Sequence, residues 1–161
     1  MGNIVKLNGL ERFLKVAEKR DACHAVLILL DAEGSCAREV AGRLATRARN
    51  HSPHLPIAVV AAKCHYENWL LGSTETLAGK SGLKDSLEII SDPESVPDPK
   101  RWLTDHMEKG KAYKETFDQA PLSKAIDIDL VCQRARSFRR LEHALEQLIC
   151  SIKSGTPLIS P

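Results

Sequence analysis

Ala25-Val26-Leu27-Ile28-Leu29-Leu30, followed at once by Asp31-Ala32-Glu33-Gly34, is the stretch on which the fold turns. Six apolar residues run without alternation, and turn-forming residues close them. So short a run with no polar face predicts a strand buried on both sides, as in a parallel sheet. Ile57-Ala58-Val59-Val60-Ala61-Ala62 repeats the pattern after Pro53 and Pro56. Between the two runs Ala37, Val40, Ala41, Leu44, Ala45 and Ala48 recur at helical spacing. Ser35 is placed to cap that helix, and Arg38, Arg43, Arg47 and Arg49 lie off its apolar stripe. Strand, helix, strand at this spacing predicts a right-handed βαβ unit, hence an α/β fold with a small, mostly parallel sheet flanked by helices.

Upstream, Asn8 and Glu11 resemble a capping box, and Leu10, Phe13, Leu14 and Ala17 mark an amphipathic helix ending near Arg20. Ile4-Val5-Lys6-Leu7 offers a third short strand. Downstream, Glu67 to Leu71 predicts a short helix, and residues 79–99 a loop rich in Gly, Ser, Asp and Pro. Lys100 to Met107 is helical in pattern, and 118–134 holds two short helices broken near Ile126. In the last helix Phe138, Leu141, Leu145, Leu148, Ile149 and Ile152 share one face, and Gly155 and Pro157 end it. The expectation is one domain over 1–161. It comprises an α/β core (1–72), a loop-rich segment (73–99), a mainly helical C-terminal part (100–153) and a tail (154–161).

Composition agrees with a folded domain and leaves its chemistry open. The chain has 161 residues, 43% hydrophobic and 27% charged, so neither a disordered tail nor a fibre is indicated. Twenty-three basic against 21 acidic residues give a net charge of +2, which provides no global reason for a nucleic-acid or membrane partner. No apolar run approaches the roughly 20 residues that span a bilayer, and the N-terminus lacks the apolar stretch of a signal peptide. Five scattered cysteines without a Cys-x-x-Cys suggest reduced thiols and a cytoplasmic setting. The Cys23-His24 and Cys64-His65 neighbours point to opposite faces of an extended chain and chelate poorly. A Cys64–His65 hydrolase rests on adjacency alone, and neither Gly-x-Gly-x-x-Gly nor a P-loop is present.

Two groups of residues could carry chemistry. In an open parallel sheet, ligands bind beyond the carboxyl ends of the strands. Asp31 and Glu33 follow the first run directly, and Glu67 lies a few residues past the second. If the strands are neighbours, three carboxylates meet on one rim and suit Mg²⁺ or Mn²⁺, which polarises a phosphoryl oxygen. The Asp-x-Glu spacing places both side chains on one face of extended chain. Acids just before a helix also stabilise its N-terminus, an alternative that needs no ligand. Further on, Arg134-x-Arg136-Ser137-Phe138-Arg139-Arg140 opens the last helix, where basic residues oppose the dipole. Such a start can hold a phosphate, or be a solvated face paired with Asp127, Asp129 or Glu142.

The ordered set Leu29-Leu30-Asp31-Ala32-Glu33, Tyr66-Glu67-Asn68-Trp69-Leu70, Lys100-Arg101-Trp102-Leu103, Tyr113-Lys114, Asp118-Gln119 and Arg136-Ser137-Phe138-Arg139-Arg140-Leu141 resembles an uncharacterised bacterial family with a Toprim-like core. Some of its members resemble nucleases of the overcoming-lysogenization-defect class. The resemblance implies a small Rossmann-like sheet, a general-base glutamate on the first strand and an Asp-x-Asp pair binding Mg²⁺. Asp31 matches the first aspartate, Glu33 stands where the second is usual, and Glu67 matches the acid before the tryptophan. The strand bearing the general base should precede Ile4, where this chain begins too late to contain it.

The resulting expectation is a Toprim-like protein binding Mg²⁺ or Mn²⁺ and nucleic acid, a degenerate nuclease with weak or absent turnover. Asp31, Glu33 and Glu67 would be its metal and catalytic carboxylates. Lys100, Arg136, Ser137 and Arg139 would contact phosphates. The sheet edge left by a missing strand implies a homodimer or docking on a partner. The alternative is a non-catalytic interaction module serving a partner such as an ATPase.

Overall fold

The computed structural model describes residues 8–157, 159 and 160. In chain order it contains α1 (Gly9–Glu18), β1 (Val26–Asp31), α2 (Ala37–His51), β2 (Ile57–Ala62), α3 (Glu67–Leu71) and α4 (Thr74–Leu77). These are followed by α5 (Pro99–Asp105), α6 (Glu115–Ala125), α7 (Ile128–Arg134), α8 (Arg136–Ser154) and the two-residue β3 (Ile159–Ser160). The fold is α/β, with a mainly helical C-terminal part. The chain divides into two compact units: Met1–Lys63 with Arg140–Pro161, and Cys64–Arg139.

The first unit is built round β2. All six of its residues are buried, as an unbroken apolar run requires. β1 pairs with it in parallel, Val26 opposite Ile57 through Asp31 opposite Ala62, and α2 makes the crossover. β3 pairs with the other edge of β2, giving the order β1-β2-β3. It falls in what reads as a tail in the sequence. The strand expected at Ile4-Val5-Lys6-Leu7 lies outside the described residues. Leu10 and Leu14 of α1 and Val40, Leu44, Ala45 and Ala48 of α2 join Ile28, Ile57, Val59 and Ala61 in one core.

Three local expectations are corrected. β1 is not buried on both faces, because Leu27 and Leu29 remain 37% and 39% exposed. Among the described residues it has one strand neighbour where β2 has two. Asn8 takes a left-handed conformation (φ 60°) with no side-chain cap, and Glu11 instead receives Arg47 of α2, Nε to Oε1 at 3.0 Å and Nη2 to Oε2 at 2.7 Å. The residue before α2 is Cys36, whose side chain makes no capping hydrogen bond. Ser35 stands one residue before the cap position, and its backbone N–H closes a turn on the Ala32 carbonyl at 2.9 Å.

The second unit is held by short helices. Leu70, Leu71, Leu77, Leu83, Leu103, Met107 and Leu122 form its core. Asp98 caps α5 through the Arg101 N–H, and Asp127 caps α7 through the N–H groups of Asp129 and Leu130, so the break near Ile126 stands as read. Arg134 reaches back to Glu75 with two hydrogen bonds of 2.8 and 2.7 Å. Among the described residues no helix is long and apolar enough to cross a membrane.

The Arg47 guanidinium hydrogen-bonded to Glu11 holds that carboxyl below its ordinary value. A depressed folded-state value means the pair's stabilisation is full above the unfolded-chain value of 4.5 and is lost as pH falls through the folded one. Glu11→Gln is therefore expected to lower stability by about 0.5–1 kcal/mol at neutral pH. Urea melts should show that difference vanishing in acid, once the wild-type carboxyl is itself protonated.

Candidate functional site

Asp31 and Glu33 belong to the first unit and Glu67 to the second. Asp31 is the last residue of β1 and is half-buried; the Ala32 N–H after it still reaches the Ala62 carbonyl at 2.9 Å. The chain then leaves the sheet. Glu33 (φ 45°) and Gly34 (φ 82°) both occupy the left-handed region, and the turn closes from Ser35 to Ala32. Glu33 is thus not on extended chain, and the shared-face argument for an Asp-x-Glu pair gives way to a tight turn. A non-glycine residue in that region costs about 1–2 kcal/mol, which marks Glu33 as held there by its surroundings.

The turn delivers the chain to the start of α2. There an open cavity of about 670 Å³ is lined by Ser35, Cys36, Glu39, Val40, Gly42, Arg43 and Thr46. Arg43 reads in the sequence only as a residue off the apolar stripe, and the structure makes it the guanidinium of this cavity. Among the described residues no group of three or more His, Cys, Asp or Glu side chains is arranged to hold a metal ion. Two carboxylates do suit an ion that arrives with phosphate oxygens and water filling its remaining positions, the usual habit of Mg²⁺.

Glu67 opens α3 and is 1% exposed. Its Oε1 accepts from the Tyr113 hydroxyl at 3.0 Å and from Gln119 Nε2 at 3.3 Å, and Lys100 Nζ lies 3.7 Å away. Its Oε2 is buried with no hydrogen-bond partner among the described residues. Lys100, expected on a phosphate, lies 2.7 Å from Glu115. Tyr113 and Gln119 fall within the segments that carry the family resemblance. Their link to Glu67 spans 46 and 52 residues, which no periodicity reveals.

The expected phosphate cradle at the start of the last helix is filled from within. Glu94 Oε1 accepts from the Ser137 N–H at 2.7 Å and from its hydroxyl at 2.5 Å, while Trp69 Nε1 donates to Ser137 Oγ at 2.7 Å. Both Ser137 and Glu94 are buried. A carboxylate already sits where an anion would, for the reason an anion would sit there. Arg139 donates to the Cys132 and Gln133 carbonyls at 2.6 and 3.1 Å. Of the four expected phosphate contacts, Arg136 is the exposed one outside these networks. Cys64 takes φ 64°, and the His65 N–H is bound to Asn68 Oδ1 at 3.1 Å.

Burial first, and then the charge of Glu67, push the Tyr113 hydroxyl well above the ordinary phenol value of 10.0. For an acid raised on folding, the stabilisation is full below the unfolded value and is lost as pH rises toward the folded one. An alkaline titration followed by tyrosinate absorbance should show a tyrosine that ionises only as the fold opens. That step should be absent from Tyr113→Phe, which is expected to lose about 1–3 kcal/mol of stability as Glu67 loses a donor. A Tyr113 that titrates at the ordinary value in the folded protein would contradict the arrangement.

No curated protein and no solved structure gives a significant match to this chain. A family model matches residues 4–146, most of the sequence. The chain belongs to the DUF4276 family, a domain of unknown function.

Proposed function

We propose that this protein is a Toprim-like domain that binds a divalent cation together with the phosphates of a nucleic acid, with at most weak phosphodiester cleavage. One observation carries the reading. The acid-bearing turn at the carboxyl end of a parallel strand leads straight into a helix whose first turns, with Arg43, line a cavity of about 670 Å³. Asp31 and Glu33 are the carboxylates facing the cation. The α2 N-terminus and Arg43 take the phosphate, the first through its dipole and the second through a charge-assisted hydrogen bond. A bound Mg²⁺ or Mn²⁺ would supply charge to the phosphoryl oxygens. In the second unit, Glu67 holds Lys100, Tyr113 and Gln119 in one polar cluster.

Two carboxylates alone hold such an ion weakly, so cation and nucleic acid should bind cooperatively. Titration calorimetry with Mn²⁺ is expected to show weak binding that strengthens when a short oligonucleotide is present. Asp31→Asn should abolish both effects. Arg43→Ala should weaken oligonucleotide binding and lower its salt dependence by about one phosphate contact. Plasmid nicking in Mn²⁺ by wild type but not by Asp31→Asn would make the domain a nuclease. Equal behaviour of wild type and Asp31→Asn in both assays would overturn the reading and leave the partner-binding module in its place.

A further inference from the structure

The last helix carries an apolar stripe that its own unit does not cover. Ala144, Leu148 and Ser151 face inward and are buried, whereas Leu145, Ile149 and Ile152 are 41%, 51% and 47% exposed. Those three stand at i, i+4 and i+7, so they form one continuous line over two turns of α8. The six apolar positions expected to share one face of the helix are therefore covered unequally. The border of the stripe away from the buried residues is charged: Glu142 and Glu146 toward its start, Lys153 at its end. By the helical repeat of 100° per residue these three fall on one line beside the apolar one.

We infer that this stripe is the interface with a second copy of the chain, formed by two α8 helices packed antiparallel about a two-fold axis near Ile149. That arrangement sets Leu145 of one helix against Ile152 of the other, with the two Ile149 side chains at the axis. It also brings Glu146 beside Lys153 of the other copy, twice. A parallel two-fold pair would put the charged lines of the two helices on opposite sides of the seam, where Glu146 of one copy cannot reach Lys153 of the other. The pattern is therefore self-complementary in one orientation only, as an isologous dimer requires. The surface is distinct from the cation site proposed above and does not rest on it. Glu146 also lies 3.7 Å from His143 on its own helix.

Light scattering across a dilution series of the full chain tests this. The wild type is expected to be a dimer that dissociates on dilution. Leu145→Glu with Ile149→Glu should be monomeric with an unchanged circular dichroism spectrum. Glu146→Lys and Lys153→Glu should each weaken the dimer at least several-fold, and the two together should restore it, because the pairs are then reversed but still opposite. Restoration by the double reversal excludes a fold defect as the cause of the single losses. A wild type that stays monomeric at every concentration would overturn the inference. So would a dimer indifferent to all of these variants, or single losses that the double reversal leaves unrestored.

Discussion

Six consecutive residues without an exposed side, Ile57–Ala62, set the terms for the first unit. A strand buried throughout needs strand neighbours on its edges and side chains packed against its faces. β1 and β3 fill the edges, and α1 and α2 contribute to the core that Ile57, Val59 and Ala61 enter. Because β1 and β2 run parallel, the chain must cross over between them, and α2 is that crossover. Its N-terminus consequently follows the carboxyl end of β1, where Asp31 stands. The place at which acids, a helix dipole and Arg43 follow one another is thus a consequence of burying β2.

The second unit meets a different constraint. α3, α4, α5 and α7 have five, four, seven and seven residues, too short to persist in water without tertiary contacts. Apolar packing supplies part of what holds them, and buried polar groups the rest. Trp69 and Glu94 converge on Ser137, while Tyr113, Gln119 and Lys100 converge on Glu67. Buried carboxylates are costly unless donors surround them, and Glu94 is answered by two donors from Ser137. Glu67 is answered on one oxygen and, among the described residues, left open on the other.

The periodic elements and several of their ends could be read from the sequence, whereas the local caps read at Asn8 and Ser35 could not. β2, the βαβ crossover, the break at Ile126 and the end of α8 before Gly155 (φ 67°) all follow from spacing and turn chemistry. How far one face of β1 is covered could not be read from an unbroken apolar run, and Leu27 and Leu29 are partly exposed. Competition between partners was equally hidden. Glu11 answers Arg47 rather than its own helix start, and Ser137 answers Glu94, 43 residues away, rather than a ligand. Of the expected site residues, Asp31 ends a strand, while Glu33 stands in a tight turn and not on the extended chain expected for an Asp-x-Glu pair. Arg43 joins that region only when the helix is folded and its flank can be seen to line a cavity.

Anomalous diffraction at the manganese edge, from crystals grown with Mn²⁺ and a short oligonucleotide, would examine the cation site directly. A peak at oxygen-ligand distance from Asp31 and Glu33, with a phosphate completing its shell and Arg43 against that phosphate, is the result expected. Manganese bound elsewhere, with Asp31 and Glu33 untouched and the nucleic acid in place, would contradict the assignment of this turn as the functional centre.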